Sequence, residues 1–157
     1  LLSTAPHDLT VQDADALPAR VAAVRRVAPI IVGTAAVRSG ARYERSLALL
    51  ENAKKFSPGM VTKSGVMVGL GESAEELVAV FQDLGMRGVD ILTVGQYLRP
   101  SKDHLPIARF YEPEEFVYLR NQALRFGFRH VESGPMVRSS YHAHEQADAT
   151  ASPRAVS

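Results

Sequence analysis

Apolar positions along the chain follow two rhythms that alternate. Tyr43, Leu47, Leu50 and Ala53 share one helical stripe, and Glu44, Arg45, Glu51 and Lys54 lie mostly outside it. This predicts a helix over residues 42–56, broken by Ser57-Pro58-Gly59. An apolar run with Val and Met follows and ends in Gly69-Leu70-Gly71-Glu72. Ser73, with Glu76 three residues on, makes a capping box. Residues 60–73 therefore read as strand, glycine turn and helix start. The next helix, residues 74–84, turns Leu77, Val80, Phe81 and Leu84 inward, with Gly85 as its stop. Residues 89–94 are continuously apolar except for Asp90 and Thr93, the pattern of a buried parallel strand. Pro113 opens a third helix, whose stripe of Phe116, Leu119, Ala123 and Phe126 runs to Gly127. A short strand at 128–131 is turned by Ser133-Gly134-Pro135.

The flanks are less regular. Val21, Val24 and Val27 predict a short helix over 19–27, ended by Pro29. Residues 30–33 are too short a run to predict a strand, and 34–41 read as a loop. Residues 95–111 form a long polar loop, a kind that in compact domains usually carries function. Beyond about Gln146 the chain has no period, and a disordered tail is expected over 146–157. Strands separated by helices imply right-handed βαβ units and a parallel sheet. Three such units make only part of a barrel, because eight need about 250 residues. Ligands of such sheets sit at the carboxyl ends of the strands, near Gly69 to Glu72, Gly95 to Tyr97, and Gly134 onward.

Composition narrows the classes. Hydrophobic residues make up 46% of 157 and charged residues 22%, ordinary for a globular domain. A formal net charge of +1 gives no case for nucleic acid or an anionic membrane. No apolar run approaches the roughly 20 residues of a membrane span. The start, LLSTAPHDL, has neither the basic opening nor the apolar block of a signal peptide, and it lacks an initiator Met, as a fragment would. There are no cysteines, so this chain alone supplies no disulfide and no thiolate chemistry.

Three blocks carry a more specific signal: TKSGVMVGLGE at 62–72, LTVGQYLRPSKDHLPIARF at 92–110 and GPMVRSSYHA at 134–143. In this order and spacing they resemble lipoyl synthase, a radical S-adenosylmethionine enzyme. The resemblance covers residues 37–145, the C-terminal portion of such an enzyme, and leaves 1–36 as a poorly matching N-terminal segment. Within that segment an inner strand looks to be missing near residues 30–36. The resemblance implies an α/β fold, the C-terminal half of a partial (β/α) TIM-type barrel. It implies sulfur insertion at C6 and C8 of a protein-bound octanoyl group, with a 5'-deoxyadenosyl radical removing the hydrogens. It also implies two 4Fe-4S clusters, octanoylated carrier domains as partners, and a reductant such as ferredoxin or flavodoxin. A cytoplasmic setting is expected, or the mitochondrial matrix for a eukaryotic source. The family's two cysteine triplets have no counterpart here, so the chain is expected to be inactive alone.

Site residues carried over by the resemblance follow the same blocks. Ser140 would bind one iron of the auxiliary cluster, with Ser139 as the ligand if the register is off by one; the alternative is a hydroxyl capping a turn. Arg138 lies nearby and would act electrostatically or be solvated. His142 and His144 flank Ala143, but two histidines are weak grounds for a metal. Gly69, Gly71 and Glu72 would meet the ribose and methionine parts of S-adenosylmethionine, or Glu72 would simply favour a helix N-terminus. Lys63 and Ser64 would reach the same cofactor. Gln96, Tyr97 and Leu98 would sandwich adenine, or pack as a loop on the barrel mouth. His104 and Arg109 would face the carrier partner, or water. A rival of another class is a non-catalytic half-barrel that keeps S-adenosylmethionine or partner binding. Biotin synthase, a related radical enzyme, is a further alternative that RSSYHA argues against.

Overall fold

The computed structural model describes residues 26–27, 30–32, 41–57 and 59–138. Five strands, β1 (Arg26–Val27), β2 (Ile30–Val32), β3 (Val61–Val68), β4 (Ile91–Gln96) and β5 (His130–Gly134), form one sheet. Three helices among the described residues, α1 (Ala41–Phe56), α2 (Ala74–Met86) and α3 (Pro113–Leu124), follow β2, β3 and β4. Every pairing is parallel, and β3, β4 and β5 are neighbours in chain order. The result is a partial β/α fold, as the alternating rhythms predict.

The upstream strands correct two expectations. Arg26 and Val27, read as the end of a helix, pair instead with Val61 and Thr62. Ile30, Ile31 and Val32 pair with Gly65, Val66 and Met67 in the same register, so an inner strand exists where one looked to be missing. Three apolar residues carry no period of their own. The ladder offered by β3 defines this strand, and that ladder is a long-range feature.

Alternation along each strand sorts its residues onto two faces. Val66 and Val68 of β3, Leu92 and Val94 of β4, and Val131 of β5 face the helices. There they meet Tyr43, Leu47 and Leu50 of α1, Phe81 and Leu84 of α2, and Phe116 and Leu119 of α3. Full burial of a Leu or Phe side chain stabilises by roughly 1.5–3 kcal/mol, so this layer anchors the sheet.

Helix ends depart from the sequence reading in one informative place. Gly85 does not stop α2, which runs on to Met86. A Cβ at Gly85 would stand 2.5 Å from the Phe126 carbonyl oxygen, so the glycine lets α2 approach the segment after α3. The left-handed residue that ends the helix is Gly88, with φ +70°. The capping box of Ser73 and Glu76 is formed, the Glu76 N–H donating to Ser73 Oγ at 3.2 Å and the Ser73 N–H to Glu76 Oε2 at 2.9 Å.

At the amino ends of the strands Asp90 ties the layers together. It is almost fully buried, and its Oδ2 accepts from the Thr62 N–H at 2.8 Å, from Thr62 Oγ1 at 3.2 Å and from Lys54 Nζ. Its carbonyl accepts from the N–H groups of Arg129 and His130 at 2.8 and 3.1 Å. One carboxylate thus joins α1 to β3, while its backbone joins β4 to β5. Residues at this end of a β/α fold act on stability, and the opposite end holds ligands.

Candidate functional site

The opposite end is built on the glycine turn after β3. Gly69 and Gly71 have φ of +102° and +106°, which a side chain at either position would strain. The turn aims two amides at one carboxylate: Glu72 accepts from the Gly69 N–H at 2.6 Å and the Leu70 N–H at 2.9 Å. Glu72 is only 8% exposed, and these charge-assisted bonds keep its charge on the turn.

A second layer locks the turn from the next strand. Gln96 is buried at the end of β4; its Nε2 donates to the carbonyls of Tyr97 at 3.2 Å and Arg109 at 3.1 Å, and its Oε1 accepts from the Tyr111 N–H at 3.0 Å. A Cβ on Gly69 would stand 2.2 Å from Gln96 Nε2. Tyr97 donates its N–H to the Val68 carbonyl at 2.8 Å and its hydroxyl to the Leu105 carbonyl at 3.1 Å. Ala108 donates its N–H to the Gly69 carbonyl at 2.8 Å. The long loop therefore returns across the turn and is held on both sides.

Tyr111 closes the layer. Its ring lies under the Arg109 guanidinium, 3.6 Å from carbon to ring centre, and Arg109 pairs with Glu115 at 2.9 Å. The Tyr111 hydroxyl is buried and makes no hydrogen bond among the described residues. Burial, and next the Glu72 carboxylate, push its pKa up to about 12, with Arg109 opposing. Arg109 holds the Glu115 carboxyl below its usual range.

The sheet face away from the helices carries Lys63, Met67, Thr93, His130, Glu132 and Arg138. A cleft of about 100 Å³ opens there between Met67, Thr93, Val137 and Arg138. Gly95 makes room for its wall, since a Cβ there would stand 2.2 Å from the Val137 carbonyl oxygen. Burial lowers the Lys63 pKa, and Glu132 partly restores it. His130 Nε2 lies 3.1 Å from Glu132 Oε2.

The structure brings Gly69, Gly71, Glu72, Gln96 and Tyr97 together, with Leu98 exposed beside them. Lys63 and Ser64 do not join that group. Lys63 lies six residues before Gly69, roughly 20 Å along an extended strand. Ser64, 1% exposed, alternates to the helix-covered face. Arg138 lines the open cleft. His104 is exposed and shares a hydrogen bond of 2.9 Å with Ser101 Oγ, and Arg109 is the clamp on Tyr111. Ser139, Ser140, His142 and His144 lie outside the described residues. Sequence reasoning missed Tyr111 and the Glu132–His130 pair. An alternating pattern at 130–134 could have flagged the pair, but Tyr111 carries no local signal.

No family model matches the chain. A lipoyl synthase of Koribacter versatilis is 66% identical over 118 residues, which is 75% of this chain and 39% of that protein. The chain is a relative of the lipoyl synthases. A lipoyl synthase of Rubrobacter xylanophilus is 60% identical over 113 residues, 72% of this chain and 35% of that protein. One from a Geobacillus species is 48% identical over 147 residues, 92% of this chain and 47% of that protein. That last match is long enough to reach into residues 1–36. The chain spans less than half the length of the lipoyl synthases it matches.

Proposed function

We propose that the chain is the C-terminal portion of a lipoyl synthase, which inserts sulfur at C6 and C8 of a protein-bound octanoyl group. The observation that carries this reading is the 66% identity to the Koribacter versatilis lipoyl synthase over three quarters of the chain. The sequential parallel sheet, with its helices on one face, supports a partial barrel that the rest of the enzyme would complete. The partners would be octanoylated carrier domains and a small electron-transfer protein such as ferredoxin or flavodoxin. The bacterial relatives support work in the cytoplasm.

The two cofactors fit this chain differently. For S-adenosylmethionine the rim suits: Glu72 spends two of its roughly four acceptor positions on the turn and retains others for a hydroxyl or ammonium group. The cleft beside Arg138 adds apolar wall and positive charge. S-adenosylmethionine would supply the hydrogen-abstracting fragment of the reaction. The chain's own residues would hold the turn rigid, orient the ligand and exclude water. The 4Fe-4S clusters do not fit the described residues. The chain has no cysteine, and no three His, Asp or Glu of the described residues converge on one point. Ser140 would add at most one oxygen ligand, so the remaining donors would have to come from another segment, and the chain alone would be inactive. The zero cysteine count also favours a second reading for the chain by itself, a half-barrel that binds S-adenosylmethionine without reacting it.

Calorimetric titration of the chain with S-adenosylmethionine tests the shared part of both readings. Saturable binding that weakens in Glu72→Gln is expected. Binding unaffected by Glu72→Gln would remove the rim from the cofactor site.

A further inference from the structure

We propose that the loop over residues 98–110 is the docking surface for the octanoylated carrier protein, and that it recognises an acidic patch beside the modified lysine. This inference rests on the lipoyl synthase reading and adds the surface and the chemistry of contact.

Four observations carry it. First, the loop is prebuilt. Arg99 Nε donates to the His104 carbonyl at 2.9 Å and its NH2 donates to the Lys102 carbonyl, while the His104 N–H donates to the Ser101 carbonyl at 3.2 Å. The Tyr97 hydroxyl holds it at the Leu105 carbonyl and the Gln96 amide at the Arg109 carbonyl. A rigid loop loses little conformational entropy on binding. Second, its charge is uncompensated. Arg99 spends its donors on neutral carbonyls, and no salt bridge joins Arg99 or Lys102 to a carboxylate among the described residues. Arg109, by contrast, is neutralised by Glu115, and Asp103 is the one acid in the loop. Third, large apolar side chains stand in water beside these cations: Leu98 is 46% exposed, Leu105 61% and Phe110 62%. Apolar anchors framed by unpaired charge are how protein interfaces are built. Fourth, the loop is anchored to the glycine turn by Ala108, so a protein seated on it stands at the carboxyl ends of the strands.

A partner that complements this surface carries carboxylates opposite Arg99 and Lys102 and apolar side chains opposite Leu105. A carrier domain meets its enzyme as a folded surface, whereas a short octanoyl-lysine peptide offers only the acyl chain and a few residues. The two substrates therefore separate docking from chemistry.

The test uses the complete gene product with both substrates. In the double variant Arg99→Glu, Lys102→Glu, kcat/KM on the carrier domain should fall at least about tenfold, and on the peptide it should hold. Leu105→Ser should act in the same direction, and Arg125→Glu, an exposed charge reversal after α3, should leave both substrates unaffected. Carrier turnover should fall as salt rises, and peptide turnover should not. Circular dichroism checks that each variant is folded. Equal loss on both substrates, or no loss on either, overturns the docking surface and leaves the lipoyl synthase reading standing. If the unaltered protein converts neither substrate, the reading fails, and the docking proposal falls with it.

Discussion

Glu72 binds the turn that displays it. Its carboxylate accepts from the amides of Gly69 and Leu70, and any ligand hydroxyl must share that carboxylate. Glu72→Gln keeps the shape and removes the charge, so it should cost about 1–3 kcal/mol in a urea titration. Gly69→Ala faces both a left-handed φ and the Gln96 amide, and should cost at least about 1–3 kcal/mol. Tyr111 makes a pH prediction. Its pKa is raised in the folded state to about 12 from an ordinary value of 10.0. A raised pKa means that the folded state holds the proton more tightly, so this stabilisation is complete below the ordinary value and is lost as pH rises through the raised one. Stability measured by denaturant should therefore fall across that alkaline window, and Tyr111→Phe should flatten the fall. The type and spacing of Gly69, Gly71 and Glu72 were legible in the sequence. Tyr111 was not, because its role depends on a loop folding back across β3.

At the scale of elements, Asp90 shows how a residue read as an interruption can be a junction. Within the apolar run it looked like a break in β4, yet it binds Lys54 and Thr62 and receives the backbone of Arg129 and His130. Asp90→Ala would leave Lys54 beside an emptied site, and a loss of about 3–5 kcal/mol is expected in thermal or urea unfolding. The helices α1, α2 and α3 were legible because one buried stripe repeats along each. The strands β1 and β2 were not, because their pairing with β3 joins residues far apart in the chain. Gly85 misled for a related reason: a glycine near a helix end reads as a stop, and here it serves contact with Phe126, a residue of another element. Lys63 and Ser64, adjacent in sequence, part onto opposite faces because a strand alternates.

For the whole molecule, the sheet presents one face packed by three helices and one face bearing Lys63, His130, Glu132 and Arg138. The open face and the glycine rim meet at the cleft beside Gly95. On the proposed reading, the rest of the enzyme closes the sheet around that face and brings the thiolates that this chain lacks. The decisive measurement is mass spectrometry of an octanoylated carrier domain incubated with the complete gene product, S-adenosylmethionine and a reductant. The account predicts a product that has gained two sulfur atoms and lost two hydrogens at the octanoyl group. An octanoyl group left unchanged by a folded protein that binds S-adenosylmethionine would contradict it.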